Sequence, residues 1–124
     1  MSTISANTFL AADGTTTTEP SIPALDQRMA KAWVNFNGQD AVAINGAYNV
    51  SSLTDNGTGQ TTVNFAVTLS QSIYSGVVSS ANVASDSGNS DYLRSKTSSS
   101  CQVRTLEDGI YRDAYDVNVI IFGP

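Results

Sequence analysis

Residues 62–69 of the sequence, TVNFAVTL, decide the class of fold. Large apolar side chains alternate strictly there with smaller or polar ones: Val63, Phe65, Val67 and Leu69 face one way, and Thr62, Asn64, Ala66 and Thr68 face the other. Because successive side chains of a β-strand point to opposite sides, this period of two predicts a strand with one buried face. Phe65 is expected in the centre of a core.

The same periodicity occurs before and after this stretch. Residues 31–38, KAWVNFNG, place Val34 and Phe36 together on one face of a strand. Residues 116–123, DVNVIIFG, are apolar on both faces toward their end, which is typical of a strand in the middle of a sheet. Ile121 in this strand is expected to be buried.

Segments rich in glycine and asparagine indicate the turns. Asn45-Gly46 predicts a hairpin turn because both residues tolerate a positive φ, and residues 55–59, DNGTG, predict a second turn. Leu53 is out of phase with the rest of its strand, which predicts a β-bulge just before it. Seven or eight short strands joined in this way predict an all-β fold, an antiparallel β-sandwich, over residues 31–124.

The composition suits one domain of this class. Serine, threonine, asparagine and glycine contribute 17, 13, 10 and 9 of the 124 residues. These residues favour strands and turns over helices, because their side chains compete with helical hydrogen bonds or, for glycine, because helix formation costs backbone entropy. A chain of 124 residues corresponds to about one domain.

The N-terminal region has a different pattern. Residues 1–20 are weakly apolar and predict an extended attachment arm, which would be floppy in a monomer or docked on a neighbour in an assembly. Residues 21–32 predict one short helix, with Ser21 as its N-cap and Pro23 in its first turn.

Apolar residues of the predicted helix have the spacing of a coiled-coil seam, three then four then three, over about one and a half heptads. The helix is expected either to associate with other copies of itself or to pack on its own β-domain. Trp33 lies on the opposite strand face from Val34, so another layer or a neighbouring subunit has to cover it. The candidate oligomerisation residues are Ile22, Leu25, Met29 and Trp33.

Charge and hydropathy argue against two classes of partner. The chain has 6 Lys+Arg against 11 Asp+Glu and a net charge of −5, which opposes binding to a phosphate backbone. No stretch approaches the roughly 18–20 consecutive apolar residues that a transmembrane helix needs. The N-terminus also lacks the basic and apolar regions of a signal peptide. Neither nucleic-acid binding nor membrane insertion is expected.

Residue types that carry catalysis are scarce. Histidine is absent, which removes the usual general base near neutral pH and the commonest transition-metal ligand. Several carboxylates lie in predicted turns, where aspartate is common without a catalytic role: Asp86, Asp91, Glu107, Asp108, Asp113 and Asp116. Residues 86–91, DSGNSD, lack the ligand spacing of an EF-hand loop. No catalytic residue, metal or cofactor is predicted, and Cys101, the only cysteine, is expected to be a buried strand thiol.

Tyrosine and arginine side chains are the remaining candidates for binding, because flat rings and fixed hydrogen-bond donors suit sugars or protein partners. The candidates for receptor or subunit contact are Tyr74, Tyr92, Arg94, Tyr111 and Arg112, with Tyr115 and Arg104 nearby in the sequence. As an alternative, half of these tyrosines cap the core of a thin sandwich, with their hydroxyls at the surface.

Five segments taken together resemble a β-domain of virion proteins of tailed bacteriophages. They are KAWVNFNG at residues 31–38, YNVSS at 48–52, DNGTG at 55–59, VNF at 63–65 and VNVIIFG at 117–123. Proteins of that kind are tail fibre or tail proteins, and fibre proteins are trimers. The resemblance therefore implies a homotrimer in the virion, assembled in the host cytoplasm, whose residues 1–20 bind other virion proteins.

The resemblance and the scarcity of catalytic residues favour a non-enzymatic virion structural protein, a tail-fibre-like β-domain used in particle attachment or host-surface recognition. Its expected outside partner is a glycan or protein of the host surface. No shaft separates the arm from the domain, which keeps open a capsid decoration or cement protein on the phage head. A polysaccharide-degrading tailspike-type enzyme is the second alternative, although tailspikes are normally longer chains with repeated β-helical rungs.

Overall fold

The computed structural model describes residues 27–81 and 89–124, together with residues 2, 3, 5, 6, 10, 14 and 25 as single positions. Its strands are β1 Ala32–Asn37, β2 Ala43–Tyr48, β3 Val50–Asp55, β4 Gln60–Phe65, β5 Ser75–Ala81, β6 Tyr92–Arg94, β7 Ser100–Arg104, β8 Leu106–Glu107, β9 Ile110–Tyr111 and β10 Asp116–Phe122. None of the described residues belongs to a helix long and apolar enough to cross a bilayer.

Two antiparallel four-stranded sheets pack against each other. The first sheet has the strand order β2-β1-β10-β5, and the second sheet has the order β3-β4-β7-β6. The strands β8 and β9 form a separate two-stranded hairpin. This arrangement confirms the predicted all-β antiparallel sandwich, and the position of β10 between β1 and β5 confirms that the DVNVIIFG strand lies inside a sheet.

The core lies between the two sheets and follows the period of two in the sequence. Phe65 and Ile121 are buried as predicted, and Val34 and Phe36 share the inner face of β1. The buried apolar side chains are Ala32, Val34, Phe36, Val63, Phe65, Tyr74, Cys101, Val103, Ala114, Val117, Val119 and Ile121. Each of the four strands β1, β4, β7 and β10 contributes alternate residues, because only one face of each sheet meets the other.

Two local predictions about the chain between β3 and β4 are confirmed. The register of β3 against β4 shifts between Val50 and Ser52, which is the bulge that brings Leu53 into phase with the core. The DNGTG segment is a tight turn: Asn56 N donates to Gln60 O at 2.9 Å, and Gly57 N donates to Asp55 Oδ1 at 2.8 Å.

The hairpin predicted at Asn45-Gly46 is wrong. Both residues lie inside β2, and residues 38–42 connect β1 to β2 instead. Asn45 Nδ2 donates to Asn35 Oδ1 at 2.9 Å. A Cβ atom on Gly46 would lie 3.5 Å from the Trp33 ring, an ordinary van der Waals distance, so Gly46 is a strand residue beside the indole and not a turn residue.

The strand predicted through Leu69 ends earlier, at Phe65. Val67 is 69% exposed, and its main chain pairs with a side chain instead of a strand. Val67 N donates to Asn49 Oδ1 at 2.7 Å, and Asn49 Nδ2 donates to Val67 O at 3.1 Å. Asn49, with a φ of 53°, thus takes the place of a peptide group and turns the chain away from the sheet.

The helix predicted over residues 21–32 does not reach its expected end. Ala32 is the first residue of β1 and is buried opposite Ile121, and residues 27–29 form a turn and a bend. Arg28 N and Met29 N both donate to Leu25 O. The burial of Ala32 in the sheet overrides the helical spacing. Residues 21–24 and 26, most of the arm over 1–20, and the DSGNSD segment before Asn89 lie outside the described residues.

Phe65→Ala should destabilise the fold far more than Val67→Ala. Phe65 is 7% exposed, and its ring packs edge to face on the Tyr74 ring with the two ring centroids 6.0 Å apart. Val67, two residues later, lies at the surface. Truncation of a buried phenylalanine costs about 3–5 kcal/mol, whereas a surface truncation stays within about 0.5 kcal/mol. Urea unfolding of both variants measures the difference. Similar losses of unfolding free energy would contradict the placement of Phe65 in the core.

Gly59→Ala should cost more than Gly109→Ala, although both glycines have a positive φ, 64° and 78°. A Cβ atom on Gly59 would lie 2.5 Å from Thr105 O and 2.7 Å from Arg112 N, whereas a Cβ on Gly109 meets nothing within 4 Å. The left-handed strain is common to both, so the crowding of backbone atoms should add about 1–3 kcal/mol at Gly59 alone. Equal unfolding free energies would show that the turn relaxes away from Thr105.

Candidate functional site

An apolar row crosses the outer face of the first sheet. Tyr48 on β2, Trp33 on β1, Ile120 on β10 and Val77 on β5 lie opposite one another in register. We call these four residues the Trp33 stripe. Each is between 38% and 65% exposed, so every strand of the sheet presents one large apolar side chain to solvent at the same level. Side chains opposite one another on adjacent strands are neighbours, which makes the stripe one continuous surface.

A polar row beside the Trp33 stripe is held by side-chain hydrogen bonds. Asn35 Nδ2 donates to Asn118 Oδ1 at 2.7 Å and to Asp116 Oδ1 at 2.5 Å. Asn118 Nδ2 in turn donates to Asp116 Oδ2 at 3.2 Å. Asn45 joins the same network through Asn35. These side chains satisfy one another, so the polar row needs no partner for its hydrogen bonds, whereas the apolar row is exposed to solvent.

The predicted oligomerisation residues divide between the stripe and the segment before β1. Trp33 is the centre of the stripe, with Tyr48 and Ile120 on either side. Leu25 and Met29 are exposed, and Ile22 lies outside the described residues. The sequence did not indicate the other three members of the stripe, because their alignment with Trp33 depends on the order of strands in the sheet.

A second surface, on the outer face of the second sheet, collects aromatic and basic side chains. Tyr92 on β6 lies opposite Arg104 on β7, and Arg94 lies opposite Gln102. The hydroxyl of Tyr111, on the β8–β9 hairpin, is 3.5 Å from the hydroxyl of Tyr92. We call Tyr92, Arg94, Gln102, Arg104 and Tyr111 the Tyr–Arg cluster.

Arg104 is the unusual member of this cluster. It is only 6% exposed although it points to the outer face of its sheet. Nη1 donates to Val103 O at 3.2 Å and Nη2 donates to Gln102 Oε1 at 2.8 Å, while Nε is buried and has no hydrogen-bond partner in the described part of the chain. In residues 27–81 and 89–124 no carboxylate forms an ion pair with this guanidinium; the ion pair found there joins Arg112 Nε to Glu107 Oε2 at 3.8 Å.

The positive charge of the cluster reaches its surface. The pKa of the Tyr111 hydroxyl is lowered, first by its contact with the Tyr92 hydroxyl and further by the charges of Arg104 and Arg94. The same hydroxyl contact raises the pKa of Tyr92. An anion placed over these two rings would therefore enter a positive potential.

The predicted receptor contacts are only partly brought together. Tyr92, Arg94 and Tyr111 share the cluster, whereas Arg112 extends from the hairpin toward Glu107. Arg104 had been noted only as a neighbour in the sequence. The alternation of Gln102 and Arg104 with the buried Cys101 and Val103 predicts its place on the outer face, but not its burial beside Tyr92 and Tyr111.

Tyr74 does not belong to an exposed surface, so its assignment as a receptor contact needs correction. It is 5% exposed, its hydroxyl donates to Ser100 O at 3.0 Å, and its ring packs on Phe65. Lys96 Nζ donates to Tyr74 O at 2.8 Å and lies 5.4 Å from the ring centroid. Tyr74 follows the alternative reading, in which a tyrosine caps the core.

The one nucleophilic thiol of the chain is inaccessible. Cys101 is fully buried on the inner face of β7, as predicted, and burial raises the pKa of its thiol to about 11. Glu107 and Asp108 lie in the β8–β9 hairpin, and Asp113 Oδ1 accepts a hydrogen bond from Gly59 N at 2.6 Å. Across the described part of the chain, no three carboxylate or thiol groups come together in a way that could hold a metal ion.

No protein-family model matches the chain, and no curated protein or solved structure is significantly similar to it. The Trp33 stripe and the Tyr–Arg cluster are the two surfaces of the described residues that suit a binding partner. The stripe is suited to burial against another apolar surface. The cluster is suited to an anionic ligand with a flat apolar face.

Cys101 should make the fold less stable in alkali. The unfolded thiol ionises near its ordinary pKa of 9.0 and the folded thiol near 11, so the unfolded state loses its proton first. Unfolding free energy should hold steady up to about pH 9 and then fall by an amount on the order of 2–3 kcal/mol by pH 11.

Urea unfolding at a series of pH values measures this fall. Cys101→Ala removes the thiol, so its unfolding free energy should decline less over the same range. The raised pKa of Tyr74 leaves a smaller decline at the alkaline end. Equal declines in the two proteins would show that ionisation of the thiol does not cause the loss.

Proposed function

We propose that the chain is a non-enzymatic structural protein of a bacteriophage particle, a tail-fibre-like β-domain that assembles as a homotrimer. The segments that resemble such domains support this proposal by their positions. Residues 31–38 contain β1, and residues 117–123 contain nearly all of β10, which pairs with it. The DNGTG segment is the tight turn into β4. The resemblance thus falls on the strands and turns that build the sandwich.

The Trp33 stripe is the observation that carries the assembly part of the proposal. An isolated apolar side chain at a surface needs no explanation, but a contiguous apolar row rimmed by polar groups marks an interaction surface. The stripe spans all four strands of the first sheet, and the Asn35–Asn118 network borders it. A copy of the same chain is the partner because the resemblance is to trimeric proteins.

In the particle, residues 1–20 attach the domain to other virion proteins, and the face away from the trimer contacts the host surface. The two surfaces described above lie on opposite sheets, so a trimer closed through the first sheet leaves the second sheet outside. Labelled antibody fragments located by microscopy on intact particles test the site of attachment. Label at the tail supports the proposal, whereas label spread over the head would identify a capsid decoration protein instead.

Val77→Asp should break the trimer, and Ser79→Asp should not. Both residues lie on β5 and face outward, but Val77 belongs to the stripe and Ser79 to the polar row opposite Asn118. A buried, unpaired carboxylate is strongly unfavourable, whereas a carboxylate at a polar rim costs little. Light scattering at micromolar concentration measures the mass, and Trp33 emission should shift to the red only on dissociation.

A wild-type monomer would contradict the proposed assembly. A trimer that survives Val77→Asp with unchanged Trp33 emission would move the interface away from the stripe.

A further inference from the structure

The Tyr–Arg cluster holds more positive charge than its own residues neutralise. Four of the six Lys and Arg residues of this acidic chain fall between residues 94 and 112: Arg94, Lys96, Arg104 and Arg112. Arg112 is paired with Glu107, and Lys96 donates to a carbonyl group. Arg94 and Arg104 remain together in the cluster, and within the described residues neither forms an ion pair with a carboxylate.

The burial of the Arg104 guanidinium is a second observation, separate from the surplus of positive charge, that indicates a ligand. A buried guanidinium is ordinarily paired with a carboxylate, because removal of a charge from water costs several kcal/mol unless an opposite charge compensates for it. The groups around Arg104 are neutral, namely a backbone carbonyl, the Gln102 amide oxygen and the nearby Tyr111 hydroxyl, and among the described residues its Nε has no partner. An external anion bound at the surface of the cluster, beside the exposed Arg94, would compensate for the buried positive charge of Arg104.

The exposed groups around Arg104 limit what that anion can be. Tyr92 and Tyr111 are exposed rings whose hydroxyls meet, and Arg94 is an exposed cation opposite Gln102. Thr62 on β4 lies opposite Gln102 on its other side and adds a hydroxyl. The neighbouring strands β6, β7 and β4 place Arg94, Gln102 and Thr62 within about 10 Å across the sheet, and Tyr111 adjoins them through Tyr92. The surface thus combines flat apolar rings, hydroxyl and amide groups, and positive charge.

We infer that the Tyr–Arg cluster binds a carboxylate-bearing sugar unit of an acidic polysaccharide. The carboxylate pairs with Arg94 in the field of Arg104, a sugar ring packs on Tyr92 or Tyr111, and the ring hydroxyls bond to Gln102 and Thr62. Arginine binds carboxylates through two parallel hydrogen bonds, and aromatic rings cover the C–H faces of sugars as apolar surfaces. This inference rests on the host-surface recognition in the proposed function and names its ligand class.

Two other anionic partners fit these observations less well. A nucleic acid needs a track of cations along its phosphates, whereas the second sheet offers two arginines that form no ion pair within the described residues, on a chain of net charge −5. An acidic peptide would bind best as an added strand, but β6 at the edge of the second sheet has only three residues. A single sugar carboxylate over two tyrosine rings requires neither a row of cations nor a long edge strand.

Titration calorimetry with tetragalacturonate and with the neutral galactose tetrasaccharide tests the inference at about 50 and 200 mM salt. Tetragalacturonate should bind, and the neutral sugar should bind at least about tenfold more weakly, because it lacks the charge-assisted hydrogen bonds. Arg94→Gln and Tyr111→Ala should each weaken the acidic sugar by about tenfold or more. Both side chains are exposed, so thermal unfolding should stay close to that of the wild type.

Arg28→Gln is the matched control, since it changes the net charge equally at an exposed residue before β1. It should alter affinity by no more than about twofold. The inference is overturned if the two sugars bind alike or not at all, or if Arg28→Gln weakens binding as much as Arg94→Gln. Tighter binding of hexaglutamate or of an oligothymidylate would assign the cluster to a peptide or a nucleic acid. Light scattering on the same samples reports trimer assembly, so a failure of recognition is separable from a failure of the proposed assembly.

Discussion

Insertion of β10 between β1 and β5 is the interaction on which the rest of the sandwich depends. Its inner residues Val117, Val119 and Ile121 are almost fully buried and face the second sheet. Burial of each such side chain contributes about 1.5–3 kcal/mol, and the ladders on both sides satisfy the backbone of β10. Its outer residue Ile120 aligns Trp33 with Val77, so the same insertion creates the Trp33 stripe. Core and candidate interface are two faces of one strand.

The two sheets share one core but present opposite chemistry outward. On the first sheet, the amides of Asn35 and Asn118 saturate one another and leave an apolar row beside them. On the second sheet, Arg104 is buried beside Tyr92, and its Nε has no hydrogen-bond partner among the described residues. Period-two alternation makes such a division possible, because each strand can devote one side to packing and the other to recognition. Because the core uses only the inner side of each strand, the side chains on the two outer faces can differ without changing the core.

The sequence was sufficient for features that depend on one strand and insufficient for those that depend on neighbours. Alternation identified the inner faces of β1, β4 and β10, because burial on one side leaves a local signature. Asn45-Gly46 favours a turn locally, but both residues lie in β2, which pairs with β1, a relation that only the register reveals. Asn49 was similarly hidden, since nothing local shows that its amide will pair with the main chain of Val67. For the Tyr–Arg cluster, the sequence predicted that tyrosine and arginine would be the binding residues, but it did not predict that Arg104 would be buried.

The polypeptide enters and leaves the first sheet at the same end of adjacent strands. Ala32 opens β1 opposite Ile121, near the end of β10, and Lys31 N donates to Ile121 O at 2.7 Å beside them. Tension applied between the segment before Lys31 and the residue after Phe122 would pull β1 and β10 apart from one end. The hydrogen bonds between the two strands would then be loaded one after another rather than all at once. Resistance to forced unfolding is set by the activation barrier for unfolding under load. This barrier stays low when the hydrogen bonds break one at a time. The domain is therefore mechanically weak if it bears load through both of these ends, and is protected when load reaches it through one end alone.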